Sequence, residues 1–180
     1  MSGKVHPHGA YRFPVSIKGV CIRDGEVLLL ENERGEWELP GGKLELGEDP
    51  AACLAREIHE ETRWSVEVAA ILDAWQYHIF EGVDVLVVTY GCVVLSSGAP
   101  QVSEEHKRVG LFDLDAVAAL TMPAQYKASI TTWREYLKRL RPASFTKAGS
   151  PRSSVQPSTV APLRGTDRPW PVCVLAQAWE

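Results

Sequence analysis

Residues 41–64 read GGKLELGEDPAACLAREIHEETRW, a stretch that begins with paired glycines and ends in closely spaced acidic residues. Asp49 followed by Pro50 is a strong signal for the start of a helix, because aspartate can cap free amides and proline suits the first helical position. We therefore predict a helix over Pro50–Thr62. The adjacent glycines predict a loop before it, over residues 37–42, whose backbone turns sharply or closely approaches another group.

Three glutamates share one face of this predicted helix. On a helix that turns ~100° per residue, Glu57, Glu60 and Glu61, here called the helix glutamates, fall within a wedge of ~100°. An adjoining wedge is apolar and would hold the helix against a sheet. It comprises Ala51, Leu54, Ala55, Ile58 and Thr62. We expect Glu57 and Glu61 to lie at the solvent edge of this contact.

Clustered carboxylates are typical ligands of hard divalent ions such as Mg²⁺ and Mn²⁺. Like charges four residues apart, such as Glu57 and Glu61, cost an isolated helix roughly 0.2–0.5 kcal/mol, and a bound cation would reverse the sign of this effect. The alternative is a solvated acidic face on which Arg56 and Glu60 form an ordinary ion pair. The spacing of the acids alone does not decide between the two interpretations.

The complete stretch resembles the Nudix box, a pattern of glycine, five residues, glutamate, seven residues, then Arg-Glu-apolar-any-Glu-Glu-any-Gly-apolar. The matching residues are Gly42, Glu48, Arg56, Glu57, Ile58, Glu60, Glu61 and Trp64. Chance agreement at this many fixed positions would be rare. Arg63 departs from the pattern, because the family has glycine there. An L-residue in the left-handed conformation that often ends a helix costs ~1 kcal/mol, partly offset by a cation at the helix C-terminus.

The segments around the box predict a sheet. Residues 15–23 and 26–31 are β-rich runs separated by Asp24-Gly25, a strong hairpin signal. Further strands are predicted over residues 66–80, 83–95 and 109–113, and a second helix over residues 124–140. This order is similar to that of the Nudix fold, which implies an α/β protein, an α/β/α sandwich with a mixed β-sheet.

The chain divides into three parts by composition. We predict an N-terminal extension over residues 1–14, a Nudix hydrolase domain over residues 15–141 and a flexible tail over residues 142–180, which contains 6 of the 12 prolines. A length of 180 residues allows one ordinary domain with an appendage. The four cysteines are far apart, so reduced thiols are expected rather than a disulfide framework or a zinc site.

Charge and hydropathy indicate the partners. A net charge of −4 and a pI near 5.8 argue against DNA binding and against docking on anionic lipid. The N-terminus lacks a secretion signal, and the apolar run over residues 83–95 is too short to cross a bilayer, so we expect a cytoplasmic protein without membrane contact. The expected partner is a small nucleotide-type substrate. Whether the chain forms a homodimer is left open.

The resemblance also implies roles for single residues. In the family, glutamates that match the helix glutamates bind metal or serve as the base, and the arginine that matches Arg56 orients a neighbouring carboxylate. The glutamate that matches Glu48 has a structural role or contacts the residues that coordinate the metal. A backbone carbonyl at the turn of Gly41 and Gly42 can complete the coordination of Mg²⁺ or Mn²⁺. Some relatives place the base on a later loop, where Glu104 and Glu105 are the candidates; otherwise these two form an exposed acidic pair.

The implied activity is metal-dependent hydrolysis of a nucleoside diphosphate linked to another moiety, which yields a nucleoside monophosphate and a phosphorylated product. Several aromatic residues are candidates for stacking on the base, although such residues are more often part of a core. They are Trp37, Trp75, Tyr77, Phe80 and Tyr126. One alternative is a Nudix-like ligand-sensing or interaction module with little hydrolysis, against which the complete set of acids argues. Another is an isoprenoid diphosphate isomerase, which would require Cys92 to line the pocket.

Overall fold

The computed structural model describes residues 13–103 and 106–140. These residues form six strands, two α-helices and one short 3₁₀ helix. In chain order they are β1 (Val15–Arg23), β2 (Glu26–Glu31), β3 (Trp37–Glu38), α1 (Pro50–Thr62), β4 (Val66–Phe80), β5 (Val83–Val94), β6 (Arg108–Asp113), a 3₁₀ helix (Val117–Ala119) and α2 (Ala124–Leu140). Glu104 and Glu105, most of the predicted extension and the predicted tail lie outside the described residues, so the proposed domain boundaries stay predictions.

The strands form a mixed sheet in the order β3-β2-β1-β5-β4, with β6 also paired to β2. Only the pairing of β1 with β5 is parallel among the strand pairs described. The predicted hairpin of β1 and β2 is confirmed, and both residues of its turn have positive φ, 55° at Asp24 and 89° at Gly25. Residues with positive φ suit the tight turns that follow the twist of paired strands.

One helix covers each face of the sheet. Successive strand residues point to opposite faces, so in β1 Ile17 and Cys21 pack in one cluster while Val20 packs in the other. Helix α1 completes the first cluster with Cys53, Leu54 and Ile58. Helix α2 completes the second with Tyr126, Ile130 and Trp133. The α/β/α sandwich expected from the sequence is therefore confirmed.

Local signals set both ends of α1. The Asp49 side chain accepts hydrogen bonds from the backbone N–H groups of Ala51 and Ala52, each at 3.0 Å. At the other end Arg63 has φ 61°, and its N–H donates to the His59 carbonyl at 2.9 Å. The helix limits and the left-handed conformation at Arg63 match the predictions, so interactions at the two ends fix where the helix begins and stops.

The prediction of a loop at residues 37–38 is wrong. Trp37 and Glu38 form the short strand β3, paired with Glu31 and Leu30 of β2. Two residues are too few to produce a periodic signal in the sequence, and their pairing depends on a strand that is close only after folding. This pairing anchors Glu38 beside the loop that leads to the box.

Two further expectations concern cysteines and membranes. Cys21, Cys53 and Cys92 are free thiols, as expected, and all three are buried. Across residues 13–103 and 106–140, no helix has the length and apolar character needed to cross a membrane.

Candidate functional site

The guanidinium group of Arg56 contacts three acidic side chains of the site. Its Nε and Nη2 donate to the two carboxylate oxygens of Glu48 at 2.9 and 3.1 Å. Its Nη1 donates to Glu57 at 2.9 Å and to Glu60 at 3.0 Å. The hydrogen bonds from Arg56 lower the pKa of Glu48 to about 2. The Arg56–Glu60 ion pair of the alternative interpretation is thus present, but as one contact of a larger network.

The Glu57 carboxylate lies directly over the α-carbon of Gly42. A Cβ atom at residue 42 would be 2.6 Å from each carboxylate oxygen, far inside van der Waals contact. The Gly42 carbonyl is fixed from the other side, since it accepts a hydrogen bond from the Ile17 N–H at 2.8 Å. A side chain at residue 42 would therefore displace the Glu57 carboxylate from this position.

Gly41 is held on both sides of its backbone. Its N–H donates to Oε2 of Glu61 at 2.8 Å, and its carbonyl oxygen accepts from Nζ of Lys18 at 2.6 Å. Its φ of 123° suits glycine, and a Cβ atom would collide with the backbone oxygen of Ile17. The turn of Gly41 and Gly42 is therefore fixed against β1 and against α1 together.

The expectation that Glu61 lies at the solvent edge of the helix is wrong, because its side chain is only 5% exposed. Burial raises the pKa of Glu61 to about 7, against the charge of Lys18, the hydrogen bond from Gly41 and the charge of His106. The charge of Glu57 raises this pKa further. Helical periodicity correctly placed Glu61 on the same face as Glu57. In the folded chain, however, Gly41 and His106 lie against the Glu61 side chain and shield it from solvent.

Three residues near Glu61 were missed by the sequence reasoning. Nε2 of His106 lies 3.6 Å from Oε1 of Glu61 and 3.6 Å from Oε1 of Glu38. Nζ of Lys18 lies 3.9 Å from Oε2 of Glu38. Burial raises the pKa of Glu38, but the contact with His106 and the charge of Lys18 outweigh it, so the pKa is below its ordinary value. The sequence feature that could have pointed to this cluster is Lys18, a charged residue within the mostly apolar strand β1.

The remaining candidates are more scattered. Glu60 contacts Arg56, and its side chain is 57% exposed. Cys92 is 1% exposed and packs beneath α1 in the core, so it does not meet the requirement of the isomerase alternative. Glu104 and Glu105 are not among the described residues, so their role as base stays a prediction.

Most of the candidate stacking residues take part in aromatic packing. The ring of Trp75 lies 5.3 Å from that of Tyr77 and 5.5 Å from that of Tyr126, between centroids. Trp37 packs edge-on against Phe112. Phe80, at the end of β4, is 62% exposed. The packing of these aromatic side chains therefore does not show which of them would stack on the nucleobase of a substrate.

A polar cavity of about 360 Å³ opens beside the buried charges. Its lining is Asn32, Glu33, Arg34, Glu38 and His106. Arg34 extends from the cavity to an aromatic side chain, because its Nη2 donates to Oη of Tyr77 at 3.3 Å. Glu38 and His106 therefore link the cavity to the charged cluster around Glu61, and Arg34 links it to the hydroxyl of Tyr77.

Comparisons with known proteins agree with this architecture. The family described as the NUDIX domain matches residues 12–133. A MutT-like protein from Streptomyces ambofaciens is 38% identical over 106 residues, an alignment that spans 58% of this chain and 66% of the relative's own length.

Solved structures share the fold. A MutT NUDIX hydrolase from Burkholderia pseudomallei is 27% identical, with a TM-score of 0.57 over 67% of this chain and 98% of its own. A UDP-X diphosphatase gives a TM-score of 0.59 at 22% identity, over 69% of its own chain and 76% of this one. The domain match covers most of the sequence, and the arginine and the three glutamates at the C-terminal end of the box lie together on α1, so the chain belongs to the Nudix family.

Proposed function

We propose that the protein is a metal-dependent pyrophosphohydrolase. It would cleave a nucleoside diphosphate linked to another moiety and release a nucleoside monophosphate and a phosphorylated product. The observation that carries this proposal is the assembly of Glu48, Glu57 and Glu60 around one guanidinium, with Glu57 fitted onto Gly42. On a solvated acidic face, the carboxylate would not have to pack against the α-carbon of a glycine.

The chemistry of the donor set fits Mg²⁺ or Mn²⁺. The donors are carboxylate oxygens, which hard divalent ions prefer. Glu57 and Glu61 are close enough for the charge of one to raise the pKa of the other, a repulsion that a cation would relieve. Within the described residues, no three acidic, histidine or cysteine side chains form a ready-made cage, and Arg56 contacts two of the helix glutamates. Because carboxylate oxygens suit these ions and the charges of Glu57 and Glu61 repel, we propose that the helix glutamates hold the ion, with the Gly41 carbonyl as an additional donor.

The residues of the site would have different roles in the hydrolysis. Bound Mg²⁺ supplies positive charge for the diphosphate and lowers the pKa of a bound water. Arg56 keeps Glu57 and Glu60 in place, and the glycine turn keeps Glu57 and Glu61 at fixed positions, which contributes to rate through orientation. One of the helix glutamates would accept the proton of the attacking water, with Glu104 and Glu105 as candidates outside the box.

The cavity beside Glu38 and His106 would receive a part of the substrate next to the diphosphate. Two of its lining residues, Glu38 and His106, belong to the cluster around Glu61. A third, Arg34, donates to the hydroxyl of Tyr77, whose ring is a candidate for stacking on a nucleobase. The fold does not name the substrate, because one fold serves many substrates. A cytoplasmic location and the absence of DNA binding stay predictions.

A substrate screen with metal tests this proposal. The full chain is incubated with a library of nucleoside diphosphate derivatives, with Mg²⁺ or with EDTA, and nucleoside monophosphate is measured. We expect release only with Mg²⁺, and a loss of two or more orders of magnitude in Glu57→Gln, consistent with the size of single-residue effects in catalysis. Glu67→Gln, the same change at an exposed position on β4, should keep the wild-type rate.

Two results would reject the proposed metal-dependent hydrolase. Release that is equal in EDTA would remove the metal from the mechanism. Binding of library compounds without any release would favour the alternative, a ligand-sensing module, especially if Glu57→Gln bound the same compounds equally well.

A further inference from the structure

Glu38 is a carboxylate of the polar cavity whose oxygens are only partly paired. Its Oε1 lies 3.6 Å from Nε2 of His106 and its Oε2 lies 3.9 Å from Nζ of Lys18. Both distances exceed those of ordinary hydrogen bonds, about 2.7–3.2 Å. Burial raises the pKa of Glu38, but His106 and Lys18 hold it below its ordinary value, so the carboxylate is ionised at neutral pH. An ionised carboxylate only accepts hydrogen bonds, and Glu38 retains the capacity to accept them from a bound group.

The lining of the cavity suits a sugar better than a nucleobase. All the residues that surround its volume of about 360 Å³ are polar, namely Asn32, Glu33, Arg34, Glu38 and His106. Pockets for flat aromatic groups are lined mainly by apolar and aromatic side chains. The volume is also near the lower end of the roughly 300–1,000 Å³ that small-molecule pockets occupy. A single hydroxylated ring matches both the polarity and the size.

The turn between β2 and β3 supplies much of this lining and is held in place by hydrogen bonds. Oδ1 of Asn32 accepts from the N–H groups of Arg34 and Glu36, at 3.0 and 3.1 Å. The Arg34 guanidinium donates from Nε to Glu36 at 2.8 Å and from Nη2 to Oη of Tyr77 at 3.3 Å. Because the turn is already ordered, a ligand would bind there without a large cost in conformational entropy.

The cavity begins beside the expected position of the diphosphate. His106 lines the cavity, and its Nε2 lies 3.6 Å from Oε1 of Glu61, one of the proposed metal ligands. In a nucleoside diphosphate derivative the group next to the diphosphate is a sugar, and the base is attached beyond it. Two adjacent hydroxyls of a sugar can donate to the two oxygens of one carboxylate. Acidic residues of dinucleotide-binding folds bind the ribose 2′-hydroxyl by the same chemistry.

We propose that Glu38 binds a vicinal diol of the sugar beside the diphosphate and selects sugars that carry both hydroxyls over their deoxy analogues. The ribose of the nucleoside and a sugar in the second moiety both carry such a diol, and binding measurements can separate these two sources. The inference rests on the proposed function, which supplies the position of the diphosphate.

Binding of non-hydrolysable ligands tests the inference without turnover. Dissociation constants are measured calorimetrically, with the full chain and Mg²⁺. The ligands are adenosine and uridine 5′-(α,β-methylene)diphosphate, their 2′-deoxy analogues, and ADP-ribose with the same methylene bridge. If the nucleoside ribose contacts Glu38, the 2′-deoxy analogues should bind about tenfold or more weakly, because a hydrogen bond to a charged group is lost. If the second sugar does so, the ADP-ribose analogue should instead bind about tenfold or more tightly than the ADP analogue.

Glu38→Gln separates direct contact from a structural effect. The amide keeps the size of the side chain but removes the charge and one acceptor oxygen. The preference for the diol should fall to within about threefold of equal binding, because removing a hydroxyl and changing its acceptor are not additive when the two groups touch. Glu26→Gln, the same change at an exposed position on β2, should keep the full preference. Glu38→Asp, which withdraws the charge by one methylene, should also weaken the preference and replaces Glu38→Gln if that variant does not fold.

The possible outcomes are distinct. A folded Glu38→Gln or Glu38→Asp variant with the full wild-type preference would overturn the inference. Wild-type protein that binds deoxy and ribose ligands equally, and gains nothing from the second sugar, would overturn it without any variant. Both results leave the hydrolase proposal intact. If none of the ligands binds, the diphosphate site itself is wrong, and the proposed function fails together with the inference.

Discussion

Replacing Gly42 by alanine tests whether the glycine turn positions a working carboxylate. The new methyl group would lie 2.6 Å from both carboxylate oxygens of Glu57. Non-bonded carbon and oxygen atoms rest roughly 3.5 Å apart, so the carboxylate must move by about 1 Å. A misplacement of about 1 Å at a reacting group can cost about 100-fold in rate, or about 2.7 kcal/mol of activation free energy. We therefore expect kcat to fall by about 100-fold.

The same substitution should affect stability much less. The group that must move is the end of a flexible side chain that is 17% exposed, and the backbone around Gly42 need not follow. The ion pair of Glu57 with Arg56 is close to solvent, where such pairs contribute at most about 1 kcal/mol. We expect the free energy of unfolding to fall by less than about 1 kcal/mol, because a glycine-to-alanine change also restricts the unfolded chain.

The assay compares turnover with thermal unfolding for Gly42→Ala and for Gly98→Ala. Gly98 is the matched control because a Cβ atom there would meet nothing within 4 Å. The control should keep both the wild-type kcat and the wild-type Tm. A Gly42→Ala variant with wild-type kcat and an intact fold would refute the argument that the turn holds Glu57 for catalysis.

Four further predictions concern the arginines of the site, the buried acid and the tail. Arg56→Lys should lower turnover by at least about tenfold, because an ammonium group cannot bridge several carboxylates as the guanidinium does; an unchanged steady-state rate would contradict the bridging role. Arg63→Gly should raise the free energy of unfolding by up to about 1 kcal/mol, since glycine adopts positive φ without strain, and a Tm that does not rise would contradict this. In EDTA, the free energy of unfolding should fall as pH rises from 4.5 to about 7, because Glu61 holds its proton up to a pKa of about 7 when folded and loses it near 4.5 when unfolded. Glu61→Gln should flatten this part of the pH profile measured by denaturant titration, and a profile equal to the wild type would show that Glu61 is not its source. Truncation after Arg141 should leave turnover near normal, and complete loss would show that residues beyond it contribute to the fold or the site.

Interactions between near neighbours made much of the fold predictable. The cap at Asp49, the left-handed Arg63 and the turn at Asp24 and Gly25 each depend on hydrogen bonds and dihedral angles within about four residues. Such preferences act before the chain is compact, so they can be read from a short window. The limits of α1 and the hairpin were correct for this reason.

The short strand at Trp37 and the burial of Glu61 could not be predicted in the same way. β3 exists because β2 offers it a partner, and two residues carry no period of their own. Helical periodicity correctly placed Glu61 beside Glu57, but exposure depends on which segments later cover that face. The Gly41 N–H that binds Glu61 is 20 residues away in the chain.

The sequence alone determined the family, the order of the strands and helices apart from β3, and the acidic face of α1, because motif spacing and local conformational preference depend on residues that are close in the chain. Tertiary structure decided which acids are buried, and it brought Lys18, Glu38 and His106 to the same place. Glu38 and His106 acquire altered pKa values only in the folded chain, where water is removed from between the charges, since electrostatic interactions strengthen as the local dielectric constant falls.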